Sequence, residues 1–307
     1  MLMKSISTTR LDVVLSHSGD GAFFSILFNN LRRRSHIAYV TLVLGSIYEH
    51  LRRPLGPLDF VTNGLEVKRA ENVVTTSRMM AGHLADFYGV DQNKIHVLYP
   101  GVDHLKFTPE KKNEAMRREF GNKTIMLYVG RLVELKGIVN LVCAASRIAK
   151  EYADFVLVIV GAGPKKVEIE EMVRKLGIEE NVKVLGKVSN ELMPYYYASS
   201  DLTIIPSIDL DAFPSVTLES LACGTPSIVS NRAGSAELIV PGKNGYVINP
   251  KDLDQTAGTI VNCLLDQKKL RKMREYCRTY VERNWTWDIV ADRYHSFLCN
   301  VVRSRRC

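Results

Sequence analysis

The sequence predicts an α/β chain of two doubly wound, Rossmann-like domains, the second complete and the first lacking strands and helices at its start. Three observations carry that prediction. From Thr124 onward, apolar runs alternate with helix-period segments. The first hundred residues show the same alternation more sparsely, and a polar, charged stretch divides the two parts. Continuous Val/Ile/Leu runs between helices indicate parallel strands covered on both faces. Ligands bind beyond the carboxyl ends of such strands, so the residues just after each run are the ones to inspect.

In the first part, "LDVVLSH", "IAYVTLVLG", "NVVTTS" and "IHVLYPG" read as strands, with helices through "AFFSILFNNLRRR" and "SRMMAGHLADFYG". That makes four strands, where a full doubly wound domain has about six. The segment "DHLKFTPEKKNEAMRREFGNK" is polar, charged and Pro-containing, as linkers are. In the second part, "TIMLYVG", "FVLVIVG", "VKVLG", "DLTIIPS" and "PSIVS" read as buried strands. The expected division is therefore an N-terminal domain over 1–107, a linker over 108–123, a C-terminal domain over 124–284 and a last helix over 285–307.

Composition excludes several classes. The 307 residues are 46% hydrophobic, enough for two packed domains. The runs "GAFFSILF" and "IAYVTLVLGSIY" fall short of the ~18 residues a membrane span needs. The start "MLMKSISTTRLD" has no long apolar signal region. The six cysteines form no CxxC pair, and no His cluster stands at ligand spacing. Reduced thiols, a cytoplasmic setting and no structural metal are expected. The formal charge is +8, and from Lys268 to Arg306 eleven Lys/Arg face four Asp/Glu. Two readings stay open: a solvated helical face, or attraction to an anionic membrane surface at about 1 kcal/mol per basic residue. No recognition motif accompanies the charge, so no nucleic-acid partner is expected.

Three motifs carry chemistry. "VGRLVELKG" follows a strand, and its Gly130 lets the chain turn where a side chain would block approach. Arg131 offers a planar fork and Lys136 a compact charge that can converge on one phosphate; the alternative is Lys136 paired with Glu134. "VIVGAGPKK" opens like a dinucleotide fingerprint, but Lys166 stands at the third glycine position. Gly161 is instead expected in a turn that keeps a ligand pocket open, at a helix N-terminus. In "DLDAFPSVTLESLACGTPSIVSN", the twenty residues from Ala212 to Asn231 hold one charged side chain, Glu219. Pro214 suits the start of a helix and Gly224 its stop, which predicts a helix over Pro214–Cys223. A lone carboxylate there needs partners: a ligand, or an ion pair with Arg232 or Arg131.

These residues resemble a family. "GRLVELKG", "VKVLGKVSNELMPYYYASSDLTIIPS", "DAFPSVTLESLACGTPSIVS" and "GSAELIVPGKNGYVINPKD" are similar to the nucleotide-binding domain of family 4 glycosyltransferases, retaining enzymes of the GT-B fold. "LYPGVDHLKF" resembles their linker motif, and "VERNWTWDIVADRYHSFL" their terminal helix, which crosses back to the N-terminal domain. The match runs in order over about two hundred residues.

The resemblance implies a nucleotide-sugar donor and a sugar or lipid-linked acceptor. Arg131 and Lys136 would hold the donor diphosphate and stabilise charge developing on it. Leu185 and Lys187 would flank the nucleobase, and Glu219 would accept hydrogen bonds from the ribose hydroxyls. Asp211 stands where the family's Glu-x7-Glu motif has its first glutamate, near the donor sugar. Ala212, Phe213, Pro214 and Ser215 would lie around sugar and phosphate. No cofactor or metal is implied, and the setting is the cytoplasm, at the inner face of the membrane.

The sequence also departs from the family. Asp211 replaces a glutamate, one methylene shorter. "DVVLSHSGDG" keeps only the second histidine of the family's strand end, His17, as an acceptor-side candidate or an ordinary strand-end residue. Leu44 stands where an active-site histidine normally precedes glycine, and His50 is six residues off. The family's opening glycine-rich loop and first strand have no counterpart. An uncovered strand edge then predicts a partner chain, a second copy or a truncated product. The rival function is a donor-binding but catalytically weak subunit acting with a partner. An NAD- or FAD-dependent oxidoreductase would rest on "VGAGP" alone.

Overall fold

The computed structural model describes residues 12–17, 38–44, 67–68 and 70–306. They fall into two compact units, Met1–Tyr99 with Asp288–Cys307, and Pro100–Trp287. The helix expected through "AFFSILFNNLRRR" and the residue His50 lie outside the described residues.

In the first unit, β1 (Val13–His17), β2 (Ala38–Val43), β3 (Asn72–Thr75) and β4 (Ile95–Val97) form a parallel sheet in that order. The uninterrupted apolar run of β2 is buried on both faces, as Val40, Thr41, Leu42 and Val43 show. Helix α1 (Arg78–Tyr88) starts where the Ser77 hydroxyl accepts the Met80 amide, and stops at Gly89 with φ 61°. His17 is the last residue of β1, and Leu44 follows β2 with 45% of its surface exposed.

The second unit begins with α2 (Glu114–Glu119) and continues as β5 (Thr124–Val129), α3 (Ile138–Glu151), β6 (Phe155–Val160), α4 (Lys166–Leu176) and β7 (Val182–Gly186). Then come α5 (Met193–Ser199), β8 (Leu202–Ile205), α6 (Val216–Ala222), β9 (Ser227–Ser230), β10 (Gly245–Ile248), α7 (Leu253–Leu265) and α8 (Gln267–Asn284). Its sheet is parallel, in the order β10-β9-β8-β5-β6-β7. β10 escapes a reading by apolar runs because "GYVI" has only four residues, of which only the first and last are buried.

The order of that sheet positions the site. The chain winds one way through β5, β6 and β7, and the other way through β8, β9 and β10. The reversal falls between the adjacent strands β5 and β8. A parallel sheet opens a crevice at the carboxyl end of such a switch point.

Residues 108–123, expected as linker, lie inside the second unit and carry α2. Their charge is used for docking. The Arg117 guanidinium donates to the Ser199 carbonyl at 2.6 Å and to Asp201 at 3.2 Å, and Asp201 accepts the Ile125 amide at 2.9 Å. The last helix, α9 (Trp287–Arg306), belongs to the first unit. Its Tyr294, Phe297, Leu298 and Val301 pack against Ala38, Val40, Leu42, Val74 and Leu98. Full burial of a large apolar side chain contributes about 1.5–3 kcal/mol, and the partly buried Tyr294, Phe297 and Leu298 each contribute less than that.

Candidate functional site

A cavity of about 210 Å³ lies at the switch point, lined from β5 by Tyr128 to Arg131 and from β8 by Ile205 to Ser207. Lys136, Asp211, Pro214, Ser215 and Val216 complete its wall. Glycine sets this geometry. A Cβ at Gly137, where φ is 69°, would stand 1.8 Å from the Pro206 carbonyl oxygen. Only glycine lets the loop after β5 lie directly against the loop after β8, which brings Lys136 to the crevice.

Lys136 meets a carboxylate there. Its Nζ lies 2.6 Å from Asp211 Oδ2, with the two side chains 20% and 11% exposed. The Ser207 hydroxyl donates to the same oxygen at 2.7 Å. The Asp211 backbone is fixed to the loop after β9, its amide donating to the Arg232 carbonyl at 3.0 Å and its carbonyl accepting the Gly234 amide at 2.8 Å. The alternative pairing of Lys136 with Glu134 is not formed, because Glu134 pairs with Lys165 at 2.7 Å. Arg131 is exposed on the cavity wall, and its carbonyl accepts the Tyr128 hydroxyl at 2.9 Å. Burial, and then the Asp211 charge, push the Tyr128 pKa well up, so that hydroxyl stays a donor.

Helix α6 starts two residues later than the Pro214 expected from sequence. Ser215 already has helical angles, φ −60° and ψ −28°, and the Pro214 carbonyl accepts the Thr217 amide at 3.2 Å. The helix stops at the predicted glycine, Gly224, with φ 70°. Its inner face is held by hydroxyls, Thr217 to Ser235 at 2.7 Å and Ser220 to Thr203 at 2.8 Å. Half-buried Glu219 stands one position away from that face, and both its oxygens have hydroxyl partners. Tyr197 donates to Oε2 at 2.7 Å and Ser215 to Oε1 at 3.0 Å. These bonds answer the desolvation problem that the sequence raised.

The structure thus gathers Gly130, Arg131, Lys136, Asp211, Pro214 and Ser215 around one cavity, with Glu219 joined to it through Ser215. Ala212 is buried and Phe213 half-buried beside it. Gly161 is not among the residues lining this cavity and packs behind Gly130, which is. A Cβ there would stand 1.8 Å from the Gly130 carbonyl oxygen, and one at Gly163 would stand 2.4 Å from that of Leu132. The glycines of "VGAGP" serve close packing of two strand-end loops, closed by the Leu132 amide on the Ala162 carbonyl at 2.9 Å. Leu185 and Lys187 are exposed at the end of β7, the edge strand, also away from the cavity wall. Among the described residues, no group of three or more His, Cys, Asp or Glu could hold a metal ion.

Sequence reasoning missed Tyr128, Ser207 and Tyr197. Ser207 carried a usable signal, standing two residues past a strand in "IIPS". Tyr128 reads as core within β5, and nothing in "YYY" distinguishes Tyr197 from its neighbours.

Two parallel α/β units, the second with a cavity at its switch point, fit the GT-B class, and solved structures share the fold. Sucrose-phosphate synthase from Thermosynechococcus elongatus superposes with a TM-score of 0.78 at 20% identity, covering 98% of this chain and 77% of that one. Anabaena Alr3699/HepE in complex with UDP-glucose gives 0.79 at 20% identity, covering 94% and 79%. Residues 110–280 match the family described as Glycosyl transferases group 1, and residues 1–105 match Glycosyltransferase Family 4. The chain belongs to this family of glycosyltransferases. One relative is the GDP-mannose-dependent alpha-(1-6)-phosphatidylinositol monomannoside mannosyltransferase of Mycolicibacterium smegmatis, 29% identical over 227 residues, 71% of this chain and 59% of that protein. Another is spore coat protein SA of Bacillus subtilis, 32% identical over 240 residues, 72% of this chain and 62% of that protein. The matched stretch spans less than two thirds of these relatives' own lengths.

Proposed function

We propose that the chain is a retaining glycosyltransferase that moves a hexosyl group from a nucleotide-diphosphate sugar to a glycan, lipid-linked or other acceptor. The observation that carries this reading is the cavity at the switch point, where Arg131 and Lys136 meet Asp211, which itself stands eight residues ahead of Glu219. The donor diphosphate takes the place of the Asp211 carboxylate as partner of Lys136. Arg131 and Lys136 then stabilise negative charge as it builds on the leaving phosphate. Released from Lys136, Asp211 accepts a hydrogen bond from a hydroxyl of the donor sugar. The cavity is small, so the nucleoside extends past Ser215 to Glu219, whose oxygens accept from the ribose.

A GDP-mannose-dependent relative and a neighbour solved with UDP-glucose support a nucleotide-sugar donor without choosing the base. No helix among the described residues is long and apolar enough to cross a membrane. We place the chain in the cytoplasm, at the inner membrane face when its acceptor is lipid-linked. One observation favours the rival reading of a donor-binding but catalytically weak subunit: exposed Leu44 stands at the end of β2, where the resemblance expects a histidine. The test is a thermal-shift screen of UDP-, GDP- and ADP-sugars on the full chain, followed by a donor-hydrolysis assay on the hits. Stabilisation with turnover supports the transferase, stabilisation without turnover supports the subunit, and no stabilisation sinks both.

A further inference from the structure

Glu219 would gain little as a ligand for a diol if its carboxylate were free to rotate, because a Glu side chain has three torsions to fix. The structure fixes them from a buried wall. Tyr197 on α5 is 0% exposed, and its hydroxyl lies 2.7 Å from Glu219 Oε2. The tyrosine is itself locked. Its carbonyl accepts the Thr225 hydroxyl at 2.7 Å, and its ring meets Phe107 edge-on at a centroid distance of 5.9 Å. Phe107 is held in turn by Arg278, which donates to the carbonyls of His104, Phe107 and Ala222 at 2.9–3.0 Å. Ser215 supplies the second donor, at 3.0 Å from Oε1.

We propose that Tyr197 is a positioning residue: with Ser215 it holds the Glu219 carboxylate in one orientation, as an acceptor aimed at a pair of neighbouring hydroxyls on the ligand. The inference rests on the reading of Glu219 as a ribose ligand. Each carboxylate oxygen takes one hydrogen bond from the protein and keeps a lone pair for the ligand. Burial, and then the Glu219 charge, push the tyrosine pKa well above its ordinary value, so the hydroxyl remains a donor throughout the working pH range. A carboxylate that only accepts selects a ligand that donates. A vicinal diol fits that requirement with two donors, and a 2′,3′-dideoxy sugar offers none.

The experiment uses the full chain and six probes: UDP, GDP, ADP and their 2′,3′-dideoxy analogues, with affinities from calorimetry. Wild type is expected to bind the ribonucleotide of the preferred base about ten-fold or more tightly than its dideoxy form, as one or two charge-assisted hydrogen bonds give. Tyr197→Phe keeps the ring on Phe107 and removes only the hydroxyl. It is expected to lose most of that ribo-over-dideoxy preference while its affinity for the dideoxy form stays unchanged. If Tyr197→Phe does not fold, Ser215→Ala, at an exposed position, carries the same test with a smaller loss. Retention of the full preference in Tyr197→Phe, alongside its loss in Glu219→Gln, overturns the positioning role and leaves the ribose reading standing. Equal binding of ribo and dideoxy forms by wild type, or no binding of any of the three bases, removes the ribose reading and the inference with it.

Discussion

Lys136 and Asp211 form an ion pair, yet only the loss of Lys136 is predicted to weaken nucleotide binding. With 20% and 11% of the side chains exposed and 2.6 Å between the charged atoms, the pair is mostly shielded. Breaking a buried pair costs about 3–5 kcal/mol. Partial solvation and the remaining Ser207 hydrogen bond reduce this, so Lys136→Ala is expected to cost about 2 kcal/mol, or roughly 4–8 °C in Tm for a unit of this size. The same variant loses one charge-assisted contact to the diphosphate, about 1.5–3 kcal/mol, so UDP or GDP binds roughly ten- to a hundred-fold more weakly. Asp211→Asn removes the carboxylate that competes with phosphate for Lys136. Nucleoside diphosphate then binds as well as in wild type or better, while sugar transfer falls. Calorimetry on the two variants provides the assay. Equal weakening of nucleotide binding in both would refute the idea that Asp211 yields Lys136 to the ligand.

Three further outcomes follow from the geometry. Gly137→Ala places a methyl group 1.8 Å from the Pro206 carbonyl at a left-handed φ of 69°, and should cost at least about 3 kcal/mol in urea unfolding. Asp201→Asn weakens the anchor shared by Arg117 and the Ile125 amide, and should lower stability by about 1–3 kcal/mol with unchanged nucleotide affinity. The third concerns His96, which packs on Phe297 and lies 3.1 Å from Asn72 Oδ1, and whose pKa burial holds below its ordinary value of 6.5. Because the folded pKa is the lower one, the unfolded chain takes up the proton first. Stability is full above about pH 6.5 and falls as the pH drops through 6.5 toward the folded value. His96→Gln should flatten thermal stability measured from pH 8 to pH 5.

Much of the second unit was legible because its strands are continuous apolar runs, and a parallel sheet has no other reading for "FVLVIVG" between two helices. The glycines were legible too, but not what each does. Gly161 reads in sequence as a pocket-opening turn, but the close approach that requires glycine at 161 and 163 comes from the carbonyls of Gly130 and Leu132, about thirty residues away. The same distance effect hid the partners of the two key carboxylates. Asp211 and Lys136 are seventy-five residues apart and Glu219 and Tyr197 twenty-two, separations that no local pattern records. The charges of 108–123 misled for a related reason, since Arg117 is a docking residue only once Asp201 stands opposite.

The central claim is that the switch-point cavity holds a donor diphosphate, and a crystal structure of the full chain with bound UDP or GDP tests it most directly. Phosphate oxygens are expected within hydrogen-bond distance of Arg131 and Lys136 Nζ, with the Lys136–Asp211 contact opened and the ribose hydroxyls on Glu219. A nucleotide bound elsewhere, or one bound with Lys136 still on Asp211, would contradict it.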